Sequence, residues 1–188
     1  MNYLEYKTLL NNLMAVGKTT GSDQSEAMIH YAELNIQRMK RLDKTTVLSE
    51  DWSSFLAKIN TKLKWVVLTE GWCGDAAQIV PVINKIAEES NGKIELELLL
   101  RDENLALMDR YLTNGGRAIP KLICYNENNE ELWNWGPRPK EAQKYIDQLK
   151  AEGADLTKIK TDLHLWYTKN KTVDTQNEIM SMFSSTQN

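Results

Sequence analysis

Thr69-Glu70-Gly71-Trp72-Cys73-Gly74-Asp75-Ala76 joins two kinds of sequence. Before it, residues 65–69 (WVVLT) form a short apolar and β-branched run that reads as a strand. After it, residues 76–90 carry Ile79, Val82, Ile83 and Ile86 on one helical face. A cysteine at such a junction meets unpaired backbone N–H groups and the positive end of the helix dipole, and both favour a thiolate. Cys73 is therefore the expected nucleophile. Asp75 reads as a first-turn acid that complements the dipole, and its carboxylate also disfavours a second negative charge on Cys73.

Outward from this junction the pattern continues as α/β. Residues 94–100 (IELELLL) read as a second strand, so that strand, helix and strand make a βαβ crossover with parallel strands. Residues 103–112 read as a helix closed by Gly115 and Gly116. Residues 121–125 and 131–135 flank the turn-rich 126–129 as an antiparallel hairpin, and a helix follows from about Pro139 to Ala151. The order is βαβαββα.

Helical spacing returns at both ends. Residues 2–16 stop at Gly17, and a second helix is expected to start at a capping-box-like Asp23 and Glu26 and to end near Asp43. Beyond Gly153, Leu156, Ile159, Leu163, Trp166 and Tyr167 form a stripe, and a last short helix covers 174–183. The expected organisation is an N-terminal helical extension (1–47), an α/β unit (48–151) and a C-terminal helical extension (152–188), packed as a single unit.

Composition narrows the function. With 41% hydrophobic and 26% charged residues the 188-residue chain is globular in type, and no run is apolar enough for a membrane span. The first 14 residues lack the basic and apolar regions of a secretory signal, so a cytoplasmic location is expected. The net charge of −3 comes wholly from residues 51–153, with no Lys/Arg stripe, which argues against nucleic-acid binding. Two cysteines, Cys73 and Cys124, with His30 and His164 scattered, give neither a disulfide framework nor a metal-ligand spacing. No metal or resident cofactor is expected.

Trp72, Cys73, Gly74, Pro81, Arg117, Ile119, Pro120 and Gly136 occur in order on the expected elements, and over residues 48–151 the chain resembles the thioredoxin superfamily. The Gly-Trp-Cys-Gly-Asp-Ala motif, with a preceding helix ending Leu-Asn-x-Gln-Arg-Met-Lys-Arg, resembles a divergent bacterial branch of it. The resemblance implies a three-layer α/β/α thioredoxin-like fold with added terminal helices. It also implies a cis Pro120 that exposes the backbone of Ile119 to an extended partner beside the cysteine. Two departures matter. Ala76 stands where the resolving cysteine would be, and Val67 stands where the buried proton-transfer acid would be. Cys73 then needs an external thiol to complete a redox cycle.

The expected site thus comprises Cys73, Trp72 and Asp75 as the reactive group and its neighbours. Ile119, Pro120, Trp135, Gly136 and Arg138 are expected to form a substrate-binding corner. Cys124, four residues along a strand from Pro120, reads as a buried hydrophobe rather than a resolving thiol. Trp133 and Trp135 share a strand face, where they either cap the sheet against the terminal helices or line a site. Arg101 and Arg117 are solvated charges unless one lies near Cys73, where it could bind a carboxylate of glutathione; His30 and His164 read as structural. The leading expectation is a monothiol redox protein with a protein disulfide or thiol partner and glutathione as the external reductant. The alternative is a non-catalytic peptide-binding module. A glutathione S-transferase-like enzyme fits less well, because only about 35 residues follow the α/β unit.

Overall fold

A computed structural model describes residues 1–184. Four strands, β1 (Leu63–Thr69), β2 (Ile94–Leu100), β3 (Lys121–Asn126) and β4 (Glu131–Trp135), form one sheet in the order β2-β1-β3-β4. β1 and β2 run parallel from Leu63 opposite Ile94 to Thr69 opposite Leu100, while β3 is antiparallel to both β1 and β4. The parallel pair needs a crossover, and α4 (Gly74–Glu89) supplies it. Ile79, Val82, Ile83 and Ile86 are fully buried there, as the sequence spacing requires, and the helix runs unbroken through Pro81.

Around this unit lie α1 (Tyr3–Ala15), α2 (Glu26–Thr45), α3 (Glu50–Lys58), α5 (Leu105–Met108), α6 (Lys140–Ala151), α7 (Leu156–Asn170) and α8 (Val173–Ser184). The arrangement is a thioredoxin-like α/β fold with additional terminal helices. α2 packs on α4, α1 on α2 and β2, α7 on α6, and α8 on β4. The backbone of Met1 exchanges two hydrogen bonds with Leu98 of β2, which extends the pairing at that edge of the sheet.

Three local expectations change. α2 begins at Ser25 without a capping box, because the Asp23 carboxylate accepts the Ser25 N–H in a local turn instead of capping a helix. The nine-residue α3 is too short to stand out by periodicity, although Trp52 and Leu56 bury its inner face. The helix read over 103–112 reduces to α5, because Asn104 leaves helical geometry and its side chain bonds the Leu100 carbonyl.

The hairpin face carries the aromatic core. Trp65, Cys124 and Trp133 stand side by side across three strands, and Phe183 of α8 lies 5.0 Å from the Trp133 ring and 5.8 Å from Trp65. Phe55 of α3 completes the stack at 4.8 Å from Phe183. Such edge-to-face pairs add to simple burial, and they fasten α8 to the sheet. Phe183→Ala should lower the unfolding free energy by about 3 kcal/mol in denaturant titration. A loss of a few tenths would show that α8 docks by other contacts.

Candidate functional site

β1 ends at Thr69, and residues 70–73 turn the chain into α4. Gly71 is held from both sides by the N-terminal segment: its N–H donates to Thr20 Oγ1 (2.8 Å) and its carbonyl accepts from Asn35 Nδ2 (2.9 Å). Glu70, fully buried, accepts the Asp102 N–H through one carboxylate oxygen, and burial pushes its pKa up. Trp72 stands beneath the Arg101 guanidinium, 4.8 Å from the ring centre, and Arg101 is paired with Asp102.

Cys73 is the N-cap of α4. Its Sγ accepts the Ala76 N–H at 3.5 Å and donates to the Ile119 carbonyl at 3.3 Å. The Ile119–Pro120 bond is cis, as is Gly136–Pro137. The thiol is buried, and burial together with the Asp75 carboxylate pushes its pKa up to about 12, against the lowering pull of the Ala76 and Asp75 N–H groups and Arg138. Donation to Ile119 further favours the protonated form. The expected resting thiolate is thus corrected: desolvation outweighs the helix terminus.

Asp75 points away from bulk water. Its Oδ2 accepts from Arg138 Nη2 at 2.6 Å and its Oδ1 from the Tyr167 hydroxyl at 2.6 Å. Burial works against the Arg138 charge, and the Asp75 carboxylate more than offsets it. Tyr167 lies on α7, and one turn earlier His164 covers the start of α4. A Cβ on Gly74 would meet the His164 ring at 2.9 Å, and His164 Nδ1 is 3.2 Å from Gln78 Nε2. Burial and the positive charges of Arg38 and Arg41 push His164 down to about 4.

Cys73, Trp72, Gly74, Asp75, Arg138 and His164 all border a cleft of about 690 Å³ whose side walls are α2 and α7. Among the described residues no cluster of His, Cys, Asp and Glu is arranged to hold a metal ion, and no helix is long and apolar enough to cross a membrane.

A family model described as thioredoxin matches residues 21–150. The chain belongs to the thioredoxin family. It is similar to the thioredoxins of Pseudomonas aeruginosa, 34% identical over 65 residues, and Staphylococcus epidermidis, 32% identical over 89 residues. The matches cover 35% and 47% of this chain, and 57% and 83% of the two relatives. Among solved structures, a protein of unknown function from P. aeruginosa superposes with a TM-score of 0.60 at 14% identity, covering 93% of this chain and 96% of that one. An HIV epitope-scaffold superposes at 0.59, also at 14% identity, covering 93% and 97%.

Within this thioredoxin-family chain the expected corner is only partly at the cleft. Arg138 reaches it, through Asp75. Trp135 does not: its indole N–H donates to Glu178 of α8 at 2.9 Å, on the side of the sheet that α8 covers. Gly136 backs Pro120, since at φ +113° a Cβ there would collide with the Pro120 carbonyl oxygen. Ile119 is buried, and its carbonyl takes the Cys73 thiol rather than facing an extended partner. Cys124 is free and fully buried, opposite Trp65. Arg117 pairs with Asp109 at the surface, and His30 is exposed. His164 and Tyr167 were missed as site residues because nothing local in the sequence signals a contact across some 90 positions.

Two measurements probe this arrangement. Asp75→Asn leaves Arg138 without its buried counter-charge, so it should cost about 3 kcal/mol in stability. It should also lower the Cys73 pKa, read by ultraviolet thiolate absorbance; an unchanged pKa would contradict the assigned coupling. For His164, the unfolded chain takes up a proton near pH 6.5 and the folded chain only near 4. Stability is therefore whole above pH 6.5 and falls, by up to about 3 kcal/mol, as pH drops from 6.5 to 4. His164→Gln should flatten that acid limb in denaturant midpoints.

Proposed function

We propose that this thioredoxin-fold chain is a monothiol redox protein whose nucleophile is Cys73. The observation that carries the reading is the place of its sulfur: at the N-terminus of α4, in reach of the Ala76 N–H and beside Ile119-Pro120, bordering the cleft. Cys73 ionises as the disulfide of a partner approaches, its proton leaving to solvent. The thiolate then attacks one partner sulfur, a Cys73–partner disulfide forms, and the partner's other sulfur departs as thiolate. With Ala76 in the resolving position and Cys124 buried in the sheet, an external thiol such as glutathione attacks the mixed disulfide and releases Cys73. Trp72 and Arg138 shape the approach, and Asp75 orients Arg138.

The resting thiol is a slow nucleophile, because only a minute fraction is ionised at neutral pH when the pKa is about 12. That same burial favours a second reading, in which the cleft binds a partner without thiol chemistry.

Incubation with glutathione disulfide, followed by intact mass, separates them. One glutathione adduct is expected, absent from Cys73→Ser and removed by reduced glutathione. Its rate of formation should climb steadily from about pH 7 to pH 10 without a plateau. An adduct that persists in Cys73→Ser would overturn the proposed role of Cys73, and a plateau near neutrality would overturn its raised resting pKa. No adduct at any pH would leave the binding reading.

A further inference from the structure

The side walls of the cleft are rich in apolar side chains. Tyr31 and Leu34 from α2 face Leu156, Ile159, Leu163 and Leu165 from α7, and three of these leucines remain well exposed: Leu34 at 37%, Leu165 at 54% and Leu156 at 73%. A concave apolar lining of this size, with a few convergent polar groups, is the ordinary form of a small-molecule site.

Apart from Asp75, the charged groups in the same lining are cations. Arg138 is neutralised by Asp75, but Arg38, Lys150 and Lys160 have no carboxylate in ion-pair range among the described residues. Arg38 is half-buried on α2, and its Nη1 donates to the neutral Asn35 side chain at 2.7 Å. Lys160 lies over the Tyr31 ring and donates to its hydroxyl. Asp75 is the only acidic residue in the lining. A chain whose net charge is −3 has thus gathered three uncompensated cations around one apolar cleft. The depressed pKa of His164, caused in part by Arg38 and Arg41, reports the same unneutralised positive field.

We propose that the cleft between α2 and α7 binds a small amphipathic carboxylate, its apolar body lying between the leucines and its carboxylate anchored by Arg38. A guanidinium suits a planar carboxylate by paired N–H donors, and desolvation by the surrounding apolar wall strengthens the contact. The charge pattern favours an anion over a neutral apolar ligand, since a neutral ligand would leave a half-buried Arg38 uncompensated. This binding does not depend on Cys73 reacting.

Decanoate, below its micelle concentration, is the probe, with decanol as its neutral counterpart, titrated calorimetrically into the intact chain. Decanoate should bind saturably at sub-millimolar concentration, at least about tenfold more tightly than decanol. Arg38→Gln should weaken decanoate about tenfold or more and leave decanol unchanged, while Arg38→Lys should recover part of the loss. Nuclear magnetic resonance supplies a second readout, because a carboxylate placed by Arg38 should raise the His164 pKa in the wild type but not in Arg38→Gln. Equal binding of decanoate and decanol would overturn the carboxylate class. Unchanged decanoate binding in a folded Arg38→Gln would overturn the anchor, and absence of saturable binding would overturn the site. Each outcome is readable in Cys73→Ser, so failure here is distinct from failure of the redox reading.

Discussion

Asp75 is the point at which three distant parts of the chain are tied together. Its carboxylate, in the first turn of α4, binds the Arg138 guanidinium from the segment after β4 and the Tyr167 hydroxyl from α7. A buried charge pair is costly to form and costlier to break by halves, because removing one partner strands the other in a poor solvent. The contact therefore acts as a fastening more than as a source of net stability. It holds α7 against α4, which lays the His164 ring on Gly74 beside Cys73.

Burial decides the electrostatics of the thiol. A helix terminus stabilises a charge by about 0.3–1 kcal/mol at the surface and up to about 2 kcal/mol in favourable buried geometry. Moving the thiol from its ordinary value of 9.0 to about 12 corresponds to about 4 kcal/mol against the thiolate. Burial and the Asp75 carboxylate together are thus larger than the pull of the α4 N–H groups. Burial and a carboxylate of the motif itself, rather than the helix terminus, set the resting state.

The α/β unit was legible because its signals are local: an apolar run for β1, the Ile79, Val82, Ile83 and Ile86 spacing for α4, and a turn-rich link for the hairpin. Cys73 at the junction and Cys124 in the core followed from the same reasoning. What could not be read depends on contacts between remote positions. Trp135 was open to both a groove and a helix-covered face, and the Glu178 contact decides for the latter. Asp75 looked like a sufficient first-turn acid, and its pairing with Arg138 and Tyr167 has no sequence period. The burial of the thiol, which reverses its expected ionisation, has no local signal in the sequence either.

The cleft walls are contributed by α2 and α7, while Cys73 and Ile119-Pro120 belong to the α/β unit. The parts that recognise a ligand are therefore encoded apart from the parts that present the sulfur. Substitutions at Tyr31, Leu34, Leu156 or Leu165 can reshape what enters without disturbing the strand-to-helix junction. A change confined to the Cys73 sulfur can remove the thiol without moving α2 or α7. Selection can thus retune the ligand and the reactivity of this chain on separate schedules, and a lineage can lose one while keeping the other.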